Sequence, residues 1–171
     1  MKKIPLLLLV TILTAFNTLK AGTPALTEDF NNMIKSYLAL KNALVTDNAP
    51  IAQSSAATLL AAISTISDKD MDAGQHKVWT SYVEKLSFDS RHISETDVID
   101  HQREHFAALS SNLLAVLKAF KLNTITLYKQ YCPMKKNYWA SETATIKNPY
   151  YGSKMVTCGE TKETLAANVK K

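Results

Sequence analysis

The sequence predicts a mainly α-helical protein, an up-down four-helix bundle followed by a small irregular C-terminal cap that contains cysteine and methionine. Four segments before residue 123 repeat apolar residues at the i, i+3, i+4, i+7 spacing of amphipathic helices. The links between them are short, which favours antiparallel neighbours. After residue 122 this periodicity stops. We therefore expect one helical domain over 22–171, with the bundle over 22–122 and the cap over 123–171.

The first two helices are separated by a clear break. Thr27 is the expected N-cap of the first helix, and its apolar face comprises Phe30, Met33, Ile34, Tyr37, Leu38 and Leu44. Asp47 to Pro50 ends this helix and starts the next, since proline is tolerated in a first helical turn. The second helix is rich in alanine, which permits a close neighbour, and presents Ile51, Ala56, Leu59, Leu60, Ile63 and Ile66.

Two further helices follow the polar connection 67–74. The third is expected over about 75–89, with Val78, Trp79, Tyr82, Val83 and Leu86 on one face. Ser94 to Asp97 resembles a capping box with Asp in place of Glu and should start the fourth and longest helix. We expect that helix to end near Asn123.

The remaining residues predict a cap with little regular structure. The segment 124–128 favours a β conformation, and Asn148 to Gly152 is typical of a turn. Residues 160–169 are predicted to form a short terminal helix. The segment is too short for a core of its own, so we expect it to dock on the bundle.

The N-terminus has the pattern of a secretory signal peptide over residues 1–21. Two lysines precede an apolar stretch over 4–16, which is shorter than the roughly 20 residues that span a bilayer. Cleavage is expected after Ala21, and an uncleaved anchor is the alternative. We predict a periplasmic or secreted protein with no membrane span after signal removal. Cysteines can pair in such an oxidising compartment.

The charge of the chain is unevenly distributed. The net charge is +5, and ten lysines and three glutamates lie from Lys118 onward. A basic tail can indicate nucleic acid. However, the chain has only two arginines, Arg91 and Arg103, and an exported protein is a poor candidate for that role. We expect no nucleic-acid partner and attribute the lysines to a solvated surface or to pairing with the acidic front of the chain.

The only two cysteines each have a methionine nearby. Cys132 precedes Met134, and Met155 precedes Cys158. Thiolate and thioether ligands select Cu(I) over hard cations such as Mg²⁺. The two pairs could close around one ion if the chain reverses between them. A disulfide between the cysteines explains the same spacing, and the sequence does not separate the two. Zinc fits less well, because the cysteine spacing is not that of a zinc finger.

A second candidate metal site lies on the fourth helix. His101 and His105 are four residues apart, which places both imidazoles on one face. Two structural histidines are the alternative. His76 and His92 are interpreted as isolated surface groups. Arg103 and Glu104 are expected to face solvent or to pair with the cap. No nucleophile elbow, zinc-protease motif or phosphate-binding loop occurs, so we predict no enzymatic activity.

At these residues the chain resembles a family, a domain of unknown function found in exported proteins of Gram-negative bacteria. Related copies are fused to membrane-fusion subunits of heavy-metal (copper/silver) efflux pumps. The stretches that carry the resemblance are 37–45, 101–106 with 109–110, 131–134, Trp139 with Ser141, 148–152, Met155 and 158–159. The resemblance implies a helical domain with a Cys/Met-bearing tail and a link to copper or silver handling.

Together these observations predict a periplasmic protein that binds a soft metal, Cu(I), for sequestration or efflux. Cys132, Met134, Met155 and Cys158 are the expected ligands, with His101 and His105 in reserve. A periplasmic efflux-pump component is the expected partner. The alternative is a metal-free, disulfide-stapled helical interaction module of the cell envelope.

Overall fold

Four helices make up most of the protein, and a small sheet follows them. The structure is a computed structural model and describes residues 23–168. The helices are α1 (Pro24–Val45), α2 (Ala49–Thr65), α3 (Ala73–Ser94) and α4 (Ile99–Phe120). The predicted signal peptide, residues 1–21, lies outside the described residues. Between residues 23 and 168, no helix combines the length and apolar character needed to cross a membrane.

Capping residues fix where the helices begin. The Thr23 hydroxyl accepts a hydrogen bond from the Leu26 amide, and Pro24 occupies the first turn, so α1 begins earlier than the expected cap at Thr27. Asn48 caps α2, and Asp72 forms a capping box with Gln75 at the start of α3.

The predicted capping box at Ser94 to Asp97 is wrong. Ser94 is the last residue of α3, and its hydroxyl donates back to the Arg91 carbonyl at 2.7 Å. This bond uses the side chain inside α3, so it cannot cap the next helix. Val98 precedes α4 without a side-chain capping bond.

Consecutive helices pack against one another, and aromatic pairs close the bundle between its first and last helices. Tyr37 stacks on Phe106 with ring centroids 5.3 Å apart, and Phe30 stacks on Phe120 at 4.4 Å. Because residue numbers rise along α1 as they fall along α4, these two helices are antiparallel. This arrangement is consistent with the predicted up-down bundle.

The C-terminal segment is more regular than the sequence indicated. Its strands β1 (Leu127–Cys132), β2 (Asn137–Ser141) and β3 (Glu160–Leu165) form an antiparallel sheet in the order β2-β1-β3. The expected irregular cap is therefore a three-stranded sheet with a loop over residues 142–159, between β2 and β3, which we call the covering loop. The terminal helix predicted over 160–169 is also wrong as far as residue 168, because β3 pairs along β1 from Tyr131↔Glu160 to Leu127↔Leu165.

Polar side-chain contacts hold the sheet against the bundle. The Lys41 ammonium is buried and pairs with Glu142 at 2.8 Å. Burial lowers the pKa of Lys41, and the hydrogen bond to Glu142 opposes that shift. The Tyr37 hydroxyl accepts a hydrogen bond from the Ala140 amide at 3.1 Å, and burial raises its pKa.

A second set of contacts is centred on Arg103. Its side chain is buried, so the solvent-facing alternative is wrong, and it bonds the C-terminal segment at Pro149, in line with the other alternative. Its guanidinium donates to the carbonyls of Leu44 (3.0 Å) and Pro149 (2.9 Å) and pairs with Asp47. The pKa of Asp47 falls from 3.8 to about 2, first through the hydroxyl of Ser153 and then through Arg103. The arginine thus joins the end of α1 to the loop that covers the sheet.

Candidate metal centre

Three histidines meet where α3 ends and α4 begins. His92 lies in the last turns of α3, and His101 and His105 lie in the first two turns of α4. One ligand nitrogen of each lies within 4.8 Å of the others. Imidazole nitrogens that share one ion at about 2.0–2.1 Å lie roughly 3.3 Å apart in a tetrahedral arrangement. The side chains must therefore rotate and bring these nitrogens closer together before they can share one ion.

Helix geometry and the interhelical link build this cluster together. The four-residue spacing places His101 and His105 on one face of α4, as the sequence predicted. The link over 95–98 turns the chain back, so that His92 stacks almost parallel on His105, with ring centroids 4.6 Å apart and 16° between planes. The interpretation of His92 as an isolated surface group was wrong. The available signal was that His92 is near the end of one helix and His101 near the start of the next.

A buried carboxylate supports the inner histidine. Asp89 is 5% exposed, and its Oδ1 lies 3.0 Å from His105 Nδ1. Burial raises the pKa of Asp89, against the opposing hydrogen bond and charge of His105. Metal-ligating histidines commonly bond a carboxylate through the second ring nitrogen, which fixes the ring and its tautomer. With Nδ1 engaged, Nε2 of His105 is the nitrogen available to an ion.

The three rings differ in exposure. The His105 side chain is 19% exposed and that of His101 is 44% exposed. Phe88 packs over His92 with ring centroids 4.2 Å apart, although Phe88 itself is 54% exposed. The edge of His101 meets His105 at 4.8 Å, and its Nδ1 lies 3.8 Å from the carboxylate of Glu104. The site therefore has a buried side at Asp89 and an open side at His101.

The structure brings the two cysteine segments together through one amide. Asn148 Nδ2 donates to Cys132 Sγ at 3.1 Å and to the Cys158 carbonyl at 2.7 Å. Asn148 Oδ1 also accepts from the Tyr150 amide at 2.8 Å, which holds the start of the loop turn. Both cysteines are free, with Cys132 fully buried and Cys158 partly exposed.

The two methionines of the predicted sulfur site lie at the surface. Met134 is 62% exposed in the turn between β1 and β2, and Met155 is 39% exposed after the short 3₁₀ helix Gly152–Lys154. Since the Cys132 thiol lies in the core, a single four-sulfur shell would need both methionines to turn inward. The ligand set predicted for Cu(I) stays a prediction.

Comparison with known proteins gives one match. No curated protein and no solved structure matches the chain. One family model matches residues 33–124, a stretch that begins within α1 and runs just past α4. This stretch includes Asp89 and all three clustered histidines, whereas both cysteines lie beyond it. Because the match covers more than half of the chain, the protein belongs to the family described as "Protein of unknown function (DUF3347)".

Proposed function

We propose that this protein binds one copper ion through His92, His101 and His105. The observation that carries the proposal is the convergence of three imidazole nitrogens within 4.8 Å. Imidazole ligands suit copper, zinc, nickel and iron, and copper is the tightest binder among the divalent ions of this series. Asp89 adds support, because its position behind His105 is that of a carboxylate that orients a metal ligand.

The biological setting of the proposal comes from the sequence. The signal-like residues 1–21 support action outside the cytoplasm, in the periplasm or as a secreted protein. The resemblance to domains fused to heavy-metal efflux subunits supports a role in sequestering copper or passing it to a pump component. No catalytic step is part of this proposal.

A competition titration tests copper binding. Purified protein is titrated with copper against a chromophoric chelator, in parallel with zinc and nickel, and His92→Ala and His105→Ala are compared with wild type. We expect one copper per chain and an affinity at least about tenfold lower in each variant. His76→Ala is the matched control, because His76 is 51% exposed and pairs with Asp68, outside the cluster.

Two outcomes would contradict this function. Wild-type protein that does not compete for copper would exclude it, and so would equal affinity in His76→Ala and His105→Ala. A clear preference for zinc would keep the site and change the ion. Circular dichroism of each variant shows whether the helices are retained.

The sulfur site remains a second candidate function, now as a separate Cu(I) site. The contact of Asn148 with both cysteine segments favours it, because those segments meet in space. Anaerobic Cu(I) titration of the Cys132→Ser/Cys158→Ser and Met134→Leu/Met155→Leu double variants tests it. A second equivalent of Cu(I) in wild type that both double variants lose would support the site. Its absence, with no copper bound by the histidines either, would favour the metal-free interaction module.

A further inference from the structure

The surroundings of the three histidines restrict the rotation of their side chains to different degrees. His105 is bonded to a carboxylate that is itself buried, and His92 contacts the rings of Phe88 and His105, with centroids 4.2 and 4.6 Å away. His101 is the most exposed of the three, and the carboxylate facing it, Glu104, is 79% exposed and 3.8 Å away. His105 is therefore the most firmly held of the three, and His101 is the one whose rotation into solvent meets the least resistance.

This asymmetry decides which metal bond opens first. Turning His105 away would leave the buried Asp89 without its hydrogen-bond partner, which is costly. Turning His92 away would break its stacking on His105 and its tilted contact with Phe88. Turning His101 away breaks one ring contact, with His105, and a weak contact with an exposed carboxylate. The coordination position on the solvent side is thus the one that an outside ligand can reach.

We propose that the site passes its metal ion on by ligand exchange, with His101 as the ligand that an incoming donor displaces. This inference rests on the proposed copper binding and chooses transfer over storage. In the step, the bond from the His101 nitrogen to copper breaks as a bond from the incoming donor forms. The oxidation state of the ion does not change, and His92 with His105 holds the ion until further donors replace them.

The donor that fits is an imidazole carried by another molecule, or a thiolate or thioether where the ion is Cu(I), because these groups then compete with imidazole without changing the oxidation state. It must approach from the start of α4, where the exposed side chains of His101 and Glu104 lie. Phe88 covers the neighbouring side, since its ring lies over His92 and 5.9 Å from His105. The side at His101 is therefore the most open approach to the cluster.

Stopped-flow removal of copper tests the inference. The full chain is loaded with one equivalent of Cu(II), mixed with increasing EDTA, and the loss of the copper–imidazole absorbance is followed. We expect the rate to rise in proportion to the EDTA concentration. In His101→Ala the position is already open, so removal should be at least about tenfold faster, while the affinity falls less than in His105→Ala.

Different failures have different meanings. Copper that binds tightly but leaves at a rate independent of EDTA would overturn the transfer inference and leave copper binding intact. An affinity loss in His101→Ala as large as that in His105→Ala would overturn it as well. Wild-type protein that takes up no copper would overturn both proposals together. His76→Ala should behave as wild type in rate and affinity.

Discussion

Replacing Gly152 by alanine should loosen the covering loop from the bundle. Gly152 has φ +55°, in the left-handed region that glycine tolerates and other residues disfavour. A Cβ atom there would overlap Asp47 Oδ1 and lie 2.5 Å from Arg103 Nη2. Neither group can move freely, because Arg103 is also bonded to the carbonyls of Leu44 and Pro149.

Two costs add to give the expected loss of stability. An L-residue in the left-handed conformation costs about 1–2 kcal/mol. Weakening the charge-assisted bond between Asp47 and Arg103 costs about 2–3 kcal/mol, near the usual range for hydrogen bonds to charged groups. The sum, about 3–5 kcal/mol, is a large part of the roughly 5–15 kcal/mol that stabilises a typical domain. For a chain of this length the melting temperature should fall by roughly 6–20 °C.

Thermal and urea unfolding, followed by circular dichroism, measure this loss. Gly74→Ala is the matched control. Gly74 lies in the first turn of α3, and its nearest contact for an added Cβ is Asp72 Oδ1 at 3.2 Å. The control should change the free energy of unfolding by less than about 1 kcal/mol. A Gly152→Ala protein that melts within about 2 °C of wild type would refute the assigned role of this contact.

Three further predictions concern Asp47, the thiols and Asp89. Because the pKa of Asp47 is lowered from 3.8 to about 2, its ionised carboxylate stabilises the fold above pH 3.8, and this contribution is lost as the pH falls toward about 2. The free energies of unfolding of wild type and Asp47→Asn, measured in urea, should therefore converge across that range. A difference in free energy of unfolding between the two proteins that persists near pH 2 would contradict this. A thiol reagent should label Cys158 in the native protein and Cys132 only after unfolding, since Cys132 is fully buried; rapid labelling of both would disprove the buried position. Asp89→Asn should lower copper affinity about 10–100-fold without lowering stability at neutral pH. Unfolding curves and the chelator titration measure these two effects, and unchanged affinity would remove Asp89 from the site.

The helices could be predicted because their signal is local. Phe106, Leu109, Leu113, Leu117 and Phe120 repeat at helical spacing along α4, and all are buried in the structure. Helix ends depend on single hydrogen bonds instead. The first helix begins at Pro24 rather than after Thr27 because Thr23 supplies the cap, and both threonines are acceptable candidates in the sequence.

The sheet was predicted poorly because its pairing is long-range. The sequence of β3, over 160–165, combines Glu, Lys and Leu, which favour helices when considered alone. Its backbone instead pairs with β1, about thirty residues earlier, and that pairing overrides local preference. Burial of Arg103 was missed for the same reason, since its partners Leu44 and Pro149 are distant in sequence.

The sequence predicted two of the three histidines of the candidate site as neighbours and missed the third. Spacing within one helix paired His101 with His105, but no periodicity connects His92 with them. Only the order of elements does so, because a short link between antiparallel helices brings the end of α3 to the start of α4. Asp89 was not predicted as part of the site, since its relation to His105 depends on the register between the same two helices.

Two residues of α4 near the histidines have clear roles in stability, whereas Asp89 on α3 does not. Gln102 donates to the carbonyls of Ala49 and Thr96, and Arg103 holds the covering loop, so both have clear roles in stability. Asp89 has the opposite effect, because a carboxyl group whose pKa is raised by burial costs the folded state stability when it is ionised. Asp89 also contacts His105, one of the proposed ligands, in the position of a carboxylate that orients a metal-binding ring. The proposed metal binding therefore rests on the geometry of the histidine cluster, with three imidazole nitrogens within 4.8 Å of one another, rather than on the more distinctive cysteine motif.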